Sequence, residues 1–191
     1  MPRQARSQET VDAILRATAH ILVAEGYEGT STNRVAEVAG VSVGSLYQYF
    51  PGKEALVAAL IEKHQAEVFA ALNPEPTLLT LPLEQVARKL IEAMLRAHGV
   101  NPALHKVLLE VAPRLGKHPH QLRDQGLALV GALLELHKRD MRPMDKDIAA
   151  FIIVQAVEAL CHEALLSRQD LLENPKYVDE MTQLLLRYVR R

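Results

Sequence analysis

Between Ser42 and Phe50 the chain carries Gly44, Ser45 and Gln48, three small or amide residues with no charge among them, beside Tyr47 and Tyr49. Their spacing has a meaning if the stretch is helical. With Leu46 taken as the inward direction and about 100° per residue, Phe50 and Val43 fall within about 60° of it. Gly44, Gln48 and Ser45 fall at about 160°, 200° and 260°, on the opposite face. Tyr47 and Tyr49 flank the inward side. Such a face suits the base edges of DNA. Gln48 can bond an adenine edge in two places. Gly44, without a side chain, lets the backbone come close. Ser45 and the two phenols can donate to phosphate, which positions a helix without reading sequence. The tyrosine rings also suit core packing with their hydroxyls in water.

A helix of this kind needs others to hold it. Thr32 to Phe50 reads as two short helices bent about Gly40, with Val41 as a buried plug, which is a helix-turn-helix with its second helix for the major groove. Ser31 or Thr32 can cap the first of the pair and Ser42 the second. Ala36 is small where the helices cross. Upstream, a helix is expected from about Gln8 to Glu25, capped by Ser7 and ended by Gly26. Its buried stripe is Val11, Ile14, Leu15, Thr18, Ile21 and Leu22. Arg3 and Arg6 form either an arm toward DNA or a frayed, solvated end. After Pro51-Gly52, Lys53 opens a fourth helix running to about Leu72. A cation in the first turn opposes the helix dipole. Either a bound phosphate or Glu54 relieves that conflict.

Residues 73–83 hold Pro74, Pro76 and Pro82 and read as a linker. Five helical patterns follow, at about 83–98, 102–115, 119–138, 145 or 147 to 167, and 175–190. The fourth is apolar nearly all round from Ile148 to Leu160, so it needs cover on two sides. One side can meet its own domain and the other a partner. With the last helix it predicts a four-helix interface between two copies of the chain. The residues expected there are Ile152, Gln155, Ala159, His162, Val178, Met181, Leu185 and Tyr188.

Composition sets the class. The chain has 191 residues, 49% hydrophobic but only 4% aromatic and with no Trp, so the core must be Leu, Val, Ile and Ala. Leu and Ala favour helices, and the expected fold is all-α. Its N-terminal part, 1–53, is the three-helix DNA-binding domain, with helix 53–72 as a link. The C-terminal part, 73–191, is a helical ligand-binding and dimerisation domain. One cysteine, Cys161, excludes an internal disulfide. There is no signal-like N-terminus and no run of about 18 apolar residues, and a cytoplasmic protein is expected. Net charge is −1, and residues 1–64 are also −1, with six Lys/Arg against seven Asp/Glu. A DNA binder usually shows a basic footprint. Attraction must therefore come from placed cations, and from doubling the head.

Residues 7–64 resemble the DNA-binding domain of the TetR (tetracycline-repressor-like) family of bacterial transcription regulators. The resemblance rests on Ile14-Leu15, Gly26-Tyr27, Thr30-Ser31, Val35-Ala36, Ala39-Gly40-Val41-Ser42, Gly44-Ser45-Leu46-Tyr47, Tyr49-Phe50 and Lys53-Glu54-Ala55-Leu56. It implies a homodimeric repressor of a near-palindromic operator, with the last two helices at the dimer interface. It also implies a cavity among the middle helices, whose small-molecule effector moves the DNA heads apart. The family's DNA contacts carry over to Thr32, Asn33, Arg34, Val43, Gly44, Ser45, Tyr47, Gln48 and Tyr49, and its phosphate-contacting lysine to Lys53. Val43 is a departure, since many relatives have a polar or basic residue there. It cannot donate a hydrogen bond but can touch a thymine methyl. Over 65–191 the resemblance is architectural.

Other chemistry finds less support. His118 and His120 lie in a turn with no further ligand at metal-site spacing, and no metal or cofactor is expected. There is no Gly-rich phosphate loop, nucleophile elbow or HExxH pattern, so no enzyme is expected. Glu158 and His162 sit four apart on one helix. They either line the effector cavity or satisfy each other at the dimer seam. The middle helices suggest an apolar or amphipathic effector. The rival function is a DNA-bound scaffold that recruits a protein partner and senses no small molecule. It predicts a solid core where a sensor has a cavity.

Overall fold

Helical periodicity and four side-chain caps account for most of the architecture. The computed structural model describes residues 2–72, 78, 80–116 and 120–190, with side chains for 7–70, 78, 80–116 and 123–190. Among these, the α-helices are α1 (Pro2–Gly29), α2 (Thr32–Ala39), α3 (Val43–Tyr47), α4 (Lys53–Leu72), α5 (Leu83–Gly99), α6 (Pro102–Val111), α7 (His120–Leu136), α8 (Lys146–Ser167) and α9 (Pro175–Val189). Among the described residues the sole extended pairing is one antiparallel bridge, Met141 with Arg190. The chain is all-α. Ser31, Ser42, Asp145 and Asn174 each accept a hydrogen bond from a backbone N–H of the helix they open, satisfying donors that the helix leaves orphaned.

One local expectation is corrected, and the break expected at Gly26 is kept. Ser7 does not cap α1, because the helix already begins at Pro2. Its hydroxyl instead donates to the Tyr49 phenol, at 3.2 Å. Gly26 lies within the span of α1 but has φ 71°, so the helix is broken there, a conformation that glycine takes without the Cβ clash. The side chains of Arg3, Arg6, His118 and His120 and the prolines at 74 and 76 lie outside the described residues.

Contacts divide the chain into two compact units, Met1–Ala66 with Ala103–His118, and Glu67–Pro102 with Pro119–Arg191. This contact division differs from the expected boundary at 53. Leu56, Val57, Leu60 and Ile61 of α4 are buried in the first unit with Ile14, Ile21, Leu22, Val35 and Leu46. α6, expected in the second domain, also belongs to the first, where Leu104, Leu108 and Val111 present one stripe to the same core. A buried imidazole pair joins α4 to α6: His64 Nε2 lies 2.7 Å from His105 Nδ1.

The second unit packs α5, α7, α8 and α9 around several apolar clusters. Ile91 and Leu95 of α5 meet Val157 and Cys161 of α8 and Val178 and Met181 of α9. Leu134, Met141, Ala149, Ile153 and Val189 form another cluster. α8 turns Ala149, Ala150, Ile153, Val154, Val157, Cys161, Ala164 and Leu165 inward. Its other face, with Ile148 at 59% exposure, Phe151 at 52% and Ile152 at 42%, is open. That division is the one expected for a helix apolar all round. On α9, however, the apolar stripe faces inward. Val178 and Met181 are buried, and the half-buried Leu185 lines a cavity. Val178 and Met181 belong to the monomer's own packing, which corrects their assignment to an interface. Tyr188 is half-buried, with the Arg142 guanidinium 4.9 Å over its ring.

Candidate nucleic-acid interface and apolar cavity

In the first unit α2 and α3 are joined by Gly40, whose φ of 68° and N–H toward the Ala36 and Glu37 carbonyls close α2. Val35 and Ala36 of α2, Leu46 of α3 and Phe50 beyond it are buried, which sets the angle between the helices. Gly44, Gln48, Tyr47 and Tyr49 are all exposed. Val43 is exposed as well, at 38%, so the wheel's inward placement of it is corrected. α3 has only five residues, and Val43 sits at its first position, where no neighbouring turn covers it. Ser45 is half-buried, and its hydroxyl lies 2.8 Å from that of Ser42. Gln48 and Tyr49 follow the end of the helix and belong to the turn.

Hydrogen bonds between elements hold this face together. The Tyr47 phenol lies 3.2 Å from the Thr32 hydroxyl at the start of α2. Tyr49 accepts from Ser7 of α1. Both phenols are thus anchored to neighbouring helices and remain exposed, which neither alternative for them foresaw. Asn33 and Arg34 are exposed. The Arg34 guanidinium makes ion pairs with Glu25 at 3.4 Å and Glu37 at 2.9 Å. Without DNA, Lys53 at the start of α4 is held by Tyr27. Its ammonium donates to the Tyr27 carbonyl at 3.1 Å and sits 4.2 Å from the centre of that ring. Gly44 has open space where a Cβ would stand.

The second unit contains a cavity of about 240 Å³. Helix α5 contributes Val86, Leu90 and Met94; α7 contributes Gly126, Leu129 and Leu133. α8 gives Val154 and Glu158, α9 gives Leu185, and Phe69 comes from the last turn of α4. Of the 20 described lining residues only Gln125 and Glu158 are polar. Glu158 accepts a hydrogen bond from Gln155 at 3.0 Å. Burial raises its carboxyl above the ordinary range, against the Gln155 hydrogen bond and the positive charge of Arg123. His162 does not line the cavity. Its ring packs 5.0 Å from that of His98, and burial beside that ring lowers it to about 4. Cys161 is fully buried and its thiol is pushed up to about 12. At neutral pH it is a thiol packed in the core, consistent with a small hydrophobe.

Comparison with known proteins settles the family. Residues 14–60 match "Bacterial regulatory proteins, tetR family", and residues 82–188 match "Tetracyclin repressor-like, C-terminal domain". The chain belongs to the TetR family. It is thus a transcription regulator with a DNA-binding helix-turn-helix and a C-terminal ligand-binding domain, in a family whose members are generally not enzymes. It is 31% identical over 102 residues to the nucleoid occlusion factor SlmA of Mannheimia succiniciproducens, covering 53% of this chain and 47% of that protein. It is 30% identical over 92 residues to the HTH-type transcriptional regulator PksA of Bacillus subtilis, covering 48% and 45%. The chain thus spans about half the length of these relatives. Among solved structures, the fatty acid degradation regulator FadR of Bacillus halodurans superposes with TM-score 0.71 at 18% identity, over 92% of this chain and 94% of that one. A TetR-like regulator from Rhodococcus gives 0.71 at 23%, over 94% of each. These likenesses show the fold over more than nine tenths of the chain.

Proposed function

We propose that this TetR-family regulator is a dimeric, cytoplasmic repressor that holds a near-palindromic operator through paired α2–α3 heads and releases it when a small apolar or amphipathic effector fills the cavity of the second unit. The observation that carries the sensing part is that cavity, with 18 of its 20 lining residues apolar. A scaffold that senses nothing has no use for a void that forfeits packing contacts. α4 supports the coupling, since one continuous helix carries both Leu56 of the DNA-binding core and Phe69 of the cavity wall. The DNA contacts assigned to Thr32, Asn33, Arg34, Val43, Gly44, Ser45, Tyr47, Gln48, Tyr49 and Lys53 are part of the proposal. So is the second copy. Ile148, Phe151, Ile152, Ala159 and Leu166 lie on one open face of α8, with Gln155 and His162 half-buried along it, and Leu184 is exposed on α9.

Effector and operator work against each other in a two-state scheme: each weakens the other's binding by the same factor. The test is selection of bound sequences from a random DNA pool, repeated with candidate metabolites. The expected result is an inverted repeat whose recovery collapses with one class of compound. Recovery of no preferred sequence would sink the operator reading. An inverted repeat indifferent to every compound would leave the scaffold as the better account.

A further inference from the structure

The cavity's two polar groups define the charge of the molecule it takes. We infer that it admits a small apolar compound whose head donates a hydrogen bond, an alcohol or an amine, and rejects the matching carboxylate; this rests on the sensing function proposed above. Among the described residues no Lys, Arg or His lines the cavity, so no cation among them neutralises an acid. Glu158 stands there instead. Gln155 donates to its Oε2. A carboxylate has further lone pairs, and a hydroxyl or an ammonium in the cavity can donate to them. A carboxylate brought to the same place meets like charge, or a carboxyl held neutral by its burial, and among the described lining residues no cation offsets it. Gln125, on the facing helix α7, has both donor and acceptor and does not discriminate. Arg123 is half-buried, is paired with Asp124 at 3.7 Å and does not line the cavity. The remaining wall is hydrocarbon from four helices and Phe69 of α4.

Size follows from volume. A cavity of about 240 Å³ equals about eight times the ~30 Å³ that a water molecule occupies in the liquid. An eight-carbon chain is therefore the right length of probe. The three matched probes are 1-octanol, octylamine and octanoate, each competing with the hydrocarbon dye pyrene, which has no hydrogen-bonding group, on the whole protein. The chain has no Trp, so the dye is read against little intrinsic background. Octanol and octylamine are expected to displace the dye at concentrations at least tenfold below octanoate. In Glu158→Gln, octylamine should lose most of its advantage and octanoate should gain, while dye binding is unchanged. Octanoate equal to or better than octanol overturns the inference and leaves the sensing function standing. An unaltered ranking in Glu158→Gln removes the role of Glu158 and overturns it too. Failure of the dye and of all three probes to bind overturns the sensing function and the inference with it.

Discussion

Arg34 is the residue on which the DNA face balances. It is a cation at the docking surface, yet Glu25 and Glu37 already hold it. Exposed pairs of this kind are worth about 0.2–1 kcal/mol, so a phosphate can displace them, though each carboxylate subtracts from what the phosphate gains. Glu37→Gln should therefore tighten operator binding by about two- to fivefold at low salt, an advantage that shrinks as salt screens it. Titration of labelled operator at two ionic strengths measures it, and weaker binding would show that Glu37 steadies Arg34 rather than competing for it. Gly44 allows a cleaner separation of fold from function. Nothing lies within 4 Å of the Cβ that alanine would add, and alanine is favoured over glycine in a helix by about 1 kcal/mol. Gly44→Ala should melt slightly higher and yet bind operator less well, because only the DNA comes close enough to notice the methyl. Unchanged affinity would remove the close approach from the account. Gln48→Ala should cost about 1–3 kcal/mol at the preferred sequence alone. Lys53→Ala should weaken all sequences evenly, and it also removes a bond to Tyr27 worth about 1 kcal/mol of stability. Binding titrations on preferred and scrambled duplexes, with thermal melts beside them, distinguish the two variants.

Among the elements, α8 carries the clearest consequence. Taken at about 100° per residue, Ile148, Phe151, Ile152, Ala159 and Leu166 fall on one side and its buried residues on the other. Ile152→Asp should leave the monomer's packing intact and shift sedimentation from dimer to monomer, with operator affinity falling alongside. A dimer that survives this change would place the interface elsewhere. The helices were legible in the sequence because their caps and stripes are local signals. Ser31, Gly40, Ser42, Asp145 and Asn174 mark ends that the structure keeps. What a stripe faces is not local. Leu104, Leu108 and Val111 read as a buried face without saying that the first unit buries them. Val178 and Met181 were expected at a seam between two copies, but Ile91, Leu95 and Val157 bury them in the core. The DNA face was legible in its residue types but not in its bonds. Glu25 reaches Arg34 across the break at Gly26, and the partners of Tyr47 and Tyr49 lie 15 and 42 residues away. The cavity was expected from the family resemblance alone, and of its two candidate residues Glu158 lines it whereas His162 does not.

At the scale of the whole molecule, His162 gives stability a pH dependence. Unfolded, it takes a proton near pH 6.5; folded, only at about 4. Between those values the unfolded chain binds a proton that the folded one refuses, so stability falls as pH drops from 6.5 toward 4 and is flat with respect to this group above 6.5. With a discount for its partial exposure, the loss is on the order of 2–3 kcal/mol. Urea melts at pH 7 and pH 5 should differ accordingly, and His162→Gln should bring the two curves closer. A wild-type protein equally stable at both values would contradict the assignment. The membership of α6 bears on the molecule in another way. Because Ala103–His118 is counted with Met1–Ala66, the reading head is not a detachable cassette. Its sequence is interrupted, and the polypeptide crosses between the units three times. Anyone grafting this head onto a foreign sensor by joining the chains after residue 72 would leave behind Leu104, Leu108 and Val111, each worth about 1.5–3 kcal/mol when buried, and an open wound in the core. A working chimera must carry α6 across as well, so in this protein recombination is constrained at three seams rather than one.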